Sequence, residues 1–181
     1  MRMIKGQILL ILCCFFYLIW WYRCYRPDIT VSRISGVNGA LFLLTAAFGI
    51  TGVIFSLTPA DAANEPKING SAIIISGIVG CVVLFLITRY GFHRMVTTEL
   101  YLIVGWTMLE MSVINRLNAA GNLSDRNFAV MCIVISAAFL ISMVLYVVYY
   151  RMEEMKAYYA AMIPLITAAV TMAVLIRAVK S

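Results

Sequence analysis

Two glutamates interrupt an apolar stretch of the chain, at a spacing that places both carboxylates on one face of a helix. Glu99 and Glu110 are the only charged residues in 96–115. Eleven residues at 100° each bring the two carboxylates to within about 20° of one face, and Trp106 falls on that face too. The three side chains form an acidic stripe about 16 Å long. Because a carboxylate near the centre of a membrane helix costs at least about 2.5 kcal/mol, the acidic stripe predicts a proton or cation route, or a counter-charge for a cationic substrate.

A structural interpretation of the same glutamates stays open. Glu99 lies about one turn inside the predicted helix, so its side chain can reach the membrane surface. Glu110 can be satisfied by a fixed partner. Arg177, three residues before Lys180, is predicted to lie in the same leaflet as Glu110. We expect Glu110 and Arg177 to face the bundle interior and to pair or to flank one polar cavity, since pairing lowers the cost of each charge.

Nothing in the sequence predicts a catalytic residue, a metal ligand or a cofactor. His93 is the single histidine, so a Ser–His or Cys–His pair would have to use it. The chain has no phosphate-binding glycine loop and no zinc-protease motif. Its cysteines show no C-x-x-C spacing, and they are Cys13, Cys14, Cys24, Cys81 and Cys132.

The composition around these residues is that of a membrane protein. Of 181 residues, 64% are hydrophobic and 12% are charged, whereas roughly 25% are charged in soluble domains. A membrane helix needs about 20 predominantly apolar residues, and the chain holds six such stretches. The sequence predicts an all-α, compact bundle of six transmembrane helices, formed by a single membrane domain over 1–181. The expected spans are about 6–22, 37–57, 70–89, 96–115, 128–150 and 157–177.

Two features of the predicted spans bear on transport. Pro164 falls inside the last span and should kink it, which either exposes backbone oxygens to an ion or only shapes the packing. A shift of 91 positions aligns 45–55 with 136–146, pairing Thr45 with Ser136. Three spans per repeat would give a 3+3 inverted repeat, as in many transporters, although apolar helices also match by chance.

The net charge of +6 is explained by the bilayer rather than by nucleic acid. Lysines and arginines cluster at the predicted span ends, where they meet lipid head groups. Six spans place both termini on one side of the membrane, with seven of the 14 Lys and Arg residues on each side. Arg23, Arg26 and Arg33 crowd one short connection, which favours termini outside. The sequence thus predicts an integral protein of the cell (plasma) membrane.

These features favour a small transporter, or the substrate-binding membrane subunit of one, with a small-molecule or ion substrate. In length and span count the chain is similar to substrate-capture subunits of vitamin-importing modular transporters, but the small-residue motif of their first span is not evident in 8–21. The alternative is a non-transporting membrane partner that scaffolds or regulates another protein, or that forms a homo-oligomer. A membrane enzyme ranks third, because it would have to use Glu110, tyrosine or cysteine side chains alone.

Overall fold

Helices make up the regular structure of the part of the chain that the computed structural model describes, namely 2–26, 36–58, 64–91, 93, 98–149 and 151–180. A π-helix over Ile87–Gly91 continues α3 directly. This architecture confirms the all-α, membrane-type bundle predicted from the sequence. The helices are α1 (Arg2–Tyr25), α2 (Gly36–Leu57), α3 (Gly70–Leu86), α4 (Thr98–Ala119), α5 (Asp125–Tyr149), α6 (Glu154–Ala160) and α7 (Ile163–Lys180).

Five helical segments in the described ranges are long and apolar enough to cross a membrane, and they correspond to the predicted spans other than the fourth. They are Arg2–Tyr25, Gly36–Leu57, Gly70–Gly91, Asp125–Tyr149 and Glu154–Val179. The remaining helix, α4, has 22 residues, so it is about 33 Å long and could also cross. It carries Glu110, Asn115 and Asn118, which lower its hydropathy and are buried in the protein. A sixth span at α4 stays a prediction.

The last predicted span is interrupted close to Pro164. Helix α6 ends at Ala160, and α7 begins at Ile163. Pro164 therefore lies in the first turn of α7, where a missing backbone N–H costs no helical hydrogen bond. The sequence predicts a kink at this proline, and the structure places a break in the helix just before it.

The chain forms two compact units, and the single membrane domain expected over 1–181 stays a prediction. The first unit combines Met1–Thr58 with Val147–Ser181, and the second is Pro59–Tyr146. The 91-residue shift would pair the first three predicted spans with the fourth, fifth and sixth. In each pair, the two spans belong to different units. However, Thr45 is buried while its counterpart Ser136 is exposed. The inverted repeat stays a prediction.

In the first unit, α1 and α2 approach each other through small residues. A Cβ atom added to Gly6 would lie 2.6 Å from the Ser56 nitrogen and 2.8 Å from the Gly52 carbonyl oxygen. A Cβ atom added to Gly52 would lie 3.1 Å from the Leu10 nitrogen. Such spacing brings two backbones into contact, which is how small residues promote helix association in lipid.

Labelling of single cysteines tests the number of crossings. We expect a cysteine at position 63 and one at position 181 to react with an impermeant maleimide from the same side of the membrane, in a chain whose five cysteines are replaced. Six crossings require this result, since four crossings separate the two positions. Labelling from opposite sides would show that α4 does not cross, and would contradict the six-span topology.

Candidate functional site

The most deeply buried carboxylate of the described chain belongs to Glu110, near the middle of α4. Its side chain has 0% exposure, and both carboxylate oxygens are shielded from solvent. The other buried residues of α4 are mostly apolar, and include Ile103, Val113, Ile114 and Leu117. Glu110 is therefore removed from water and from lipid, in surroundings that make an ionised carboxylate costly.

Trp106 lies one turn before Glu110 on the same face of α4, as the sequence predicts. Side chains four residues apart on a helix are neighbours, with Cβ atoms about 5–6 Å apart. The indole Nε1 of Trp106 is buried and has no hydrogen-bond acceptor among the residues that the structure describes. An unmatched buried donor costs about 1–3 kcal/mol. The site thus combines a buried carboxylate with a buried N–H group that can still donate.

Glu99 and Arg177, the other charged residues of the predicted pathway, have exposed side chains. Glu99 is the second residue of α4, and its side chain is exposed, so the acidic stripe has one end at the surface and the other in the interior. Arg177 is exposed on α7 and belongs to the first unit, whereas Glu110 belongs to the second. Pairing of Glu110 with Arg177 stays a prediction.

Asn115 fixes the segment before α3 against the C-terminal half of α4. Its Nδ2 donates to the Ile68 carbonyl oxygen at 2.6 Å, and its Oδ1 accepts from the Ile68 backbone N–H at 3.1 Å. The exchange resembles a pair of β-ladder bonds made by a side-chain amide. It lies about 7.5 Å along the helix from Glu110. These two hydrogen bonds therefore hold the segment before α3 beside the C-terminal half of α4.

A second asparagine side chain, that of Asn118, holds the residues that follow α4. Asn118 Nδ2 donates to the Leu123 carbonyl oxygen at 2.9 Å and to Asp125 Oδ1 at 3.0 Å. Lys67 Nζ lies 2.6 Å from the same carboxylate oxygen. Sequence reasoning missed both amides, although two asparagines three residues apart at the end of an apolar run were the available signal.

A separate cleft of about 240 Å³ is lined by residues of α3, α4 and α5. Both hydroxyl groups in its lining donate hydrogen bonds to the backbone of their own helix. Ser76 donates to the Ile73 carbonyl oxygen, and Thr107 donates to the Ile103 carbonyl oxygen. The cleft therefore offers an apolar surface, and Glu110 is not part of its lining. The lining residues are Ile73, Ser76, Gly77, Gly80, Val104, Thr107, Met108, Met111 and Phe139.

No cluster of three or more His, Cys, Asp or Glu side chains able to hold a metal ion occurs in the described ranges. Comparison with protein-family models, with curated proteins and with solved structures finds no match to this chain. The candidate functional site is defined by the buried carboxylate of Glu110 and the buried indole N–H of Trp106.

Proposed function

We propose that the chain is a small membrane transport protein, in which Glu110 binds a cation or a proton on its way across. The full burial of Glu110 carries this proposal. Ionisable residues at membrane depth are expensive, and they commonly mark substrate or ion pathways and proton relays. We further propose the plasma membrane as its location, with both termini on one side.

The neighbouring Trp106 supports a cationic cargo. An indole ring has a negative face that attracts ammonium groups, with an energy of about 2 kcal/mol or more where water is excluded. A carboxylate one turn away supplies the counter-charge. The buried indole N–H can donate to an acceptor on the cargo or to a water that travels with it. Together these groups suit a proton or a small organic cation.

Flux into proteoliposomes tests this proposal. We expect wild-type protein in vesicles to admit protons, followed with a trapped pH-sensitive dye under a valinomycin-imposed potential, or to admit the organic cation ethidium. Glu110→Gln removes the negative charge while keeping the shape, so it should reduce either flux to that of protein-free vesicles. Glu99→Gln is the matched control on the same helix, and it should keep the flux because Glu99 is exposed.

Two outcomes would overturn the proposal. Wild-type vesicles that admit neither probe faster than protein-free vesicles would remove the transport function for this cargo class. That result, together with co-purification of a second membrane protein at fixed stoichiometry, would favour the alternative of a non-transporting partner. Undiminished flux in Glu110→Gln would instead show that Glu110 is only structural.

A further inference from the structure

Arg23, in the last turn of α1, is held in place by a neutral and buried partner. Its Nε donates to Asn38 Oδ1 at 3.1 Å. Asn38 has 0% exposure, whereas Arg23 is exposed. No carboxylate among the described residues contacts Arg23. The hydrogen bond to Asn38 therefore orients the guanidinium through its Nε without neutralising its positive charge.

Aromatic residues make the end of α1 a fixed frame for this arginine. Tyr158 donates its hydroxyl to the Tyr22 carbonyl oxygen at 3.2 Å, which satisfies one of the last carbonyl groups of the helix. Trp21 stacks on Tyr25, with ring centroids 4.3 Å apart, and lies parallel to Tyr158 at 6.4 Å. Aromatic rings of this kind are enriched at the level of the lipid head groups. The aromatic residues therefore predict that Arg23 lies at the membrane surface.

A second guanidinium lies one turn further along the chain. Arg26 Nη1 donates to the Tyr22 hydroxyl at 2.7 Å, and its Cζ lies 5.5 Å from the centre of the Tyr22 ring. Arg26 directly follows the last residue of α1 and is three positions after Arg23 in the chain. Arg26 therefore adds a second positive charge next to the end of α1.

We propose that Arg23, assisted by Arg26, binds the phosphate of an anionic phospholipid. A guanidinium presents N–H groups in a rigid fork that matches two oxygens of one phosphate, and the hydrogen bond from Asn38 sets its direction beforehand. A lipid is the occupant rather than a soluble phosphate, because the arginine sits within the aromatic frame of a membrane-crossing helix. This site is independent of the role of Glu110.

Lipid titration tests the site. We expect detergent-solubilised protein to bind short-chain phosphatidylglycerol more tightly than short-chain phosphatidylcholine, as measured by native mass spectrometry. Arg23→Gln should weaken phosphatidylglycerol binding about tenfold, the effect of losing one charged hydrogen-bonding group. Arg23→Lys keeps the positive charge but loses the forked N–H groups and the hydrogen bond to Asn38. Its affinity for phosphatidylglycerol should therefore lie between those of the wild type and Arg23→Gln. Arg151→Gln is the matched control, because Arg151 is exposed in the same unit.

Three results would contradict the site. Equal losses of affinity in Arg23→Gln and Arg151→Gln would show that overall charge, rather than this geometry, attracts the lipid. Equal binding of the two lipids would exclude recognition of an anionic head group. Competition by inorganic phosphate as effective as that by the lipid would overturn the choice of a lipid. Should Arg23→Gln fail to fold, Arg23→Lys against the Arg151→Gln control decides between these outcomes.

Discussion

Substitution of Gly6 by valine is expected to force α1 and α2 apart and to destabilise the first unit by about 1–3 kcal/mol or more. A side chain at this position would meet the backbone of α2, since a Cβ atom would lie 2.6 Å from the Ser56 nitrogen and 2.8 Å from the Gly52 carbonyl oxygen. Backbone atoms cannot rotate away as a flexible side chain can. The helices must therefore separate along their contact, with a loss of packing energy.

Gly39→Val is the matched control for this substitution. Gly39 lies in α2, and a Cβ atom there would have no neighbour within 4 Å. Because glycine is the poorer helix former, valine at this position should be neutral or slightly stabilising. Thermal unfolding in detergent, followed by circular dichroism, measures both variants. Equal unfolding temperatures for Gly6→Val and Gly39→Val would show that the two helices are not in backbone contact at Gly6.

The length of each apolar run made most of the fold predictable. For α2, the predicted span of 37–57 differs from the observed Gly36–Leu57 by one residue at its first position. Lipid imposes this regularity, since a crossing segment must satisfy its own backbone and match the bilayer thickness. Helix α4 departs from the prediction of 96–115 and ends at Ala119. Its last turn holds Asn118, whose partners are in the protein, and hydropathy cannot register such contacts.

The division into two units was not predictable from the sequence. One unit takes its helices from both ends of the chain and the other from the middle. No local property of a residue encodes which helices associate. Small residues allow the close approach of α1 and α2 at Gly6 and Gly52. In the sequence, however, a glycine in an apolar run looks the same whether or not another helix contacts it.

Only part of the candidate functional site followed from residue type and spacing. The sequence identified Glu110 because apolar residues flank it, and the structure buries its side chain, while its place in a pathway stays a prediction. Glu99 belongs to the same predicted span but is exposed, since it falls in the first turn of α4. The hydrogen bond from Arg23 to Asn38 joins residues 15 positions apart, and the bonds between Asn115 and Ile68 span 47. Only the folded chain brings such pairs together.

Trp106→Phe is expected to reduce cation flux about tenfold while leaving the stability of the protein unchanged or higher. Phenylalanine keeps an aromatic ring but removes the buried N–H that has no acceptor among the described residues. Removing an unmatched donor gains back about 1–3 kcal/mol of desolvation cost, which offsets the packing lost with the smaller ring. If the N–H binds the cargo or its water, one lost hydrogen bond gives the tenfold reduction.

Trp106→Phe must lower the flux without lowering the unfolding temperature if the indole N–H binds the cargo or its water. Proton or ethidium flux into proteoliposomes reports the site, and thermal unfolding in detergent reports the fold. Trp20→Phe is the matched control in the first unit, where Trp20 is half-buried among other aromatic rings, and it should leave the flux unchanged. Suppose instead that Trp106→Phe unfolds at a markedly lower temperature while the flux per folded molecule stays at the wild-type value. The indole N–H would then have a structural partner, and Glu110 alone would have to account for the binding of a cation.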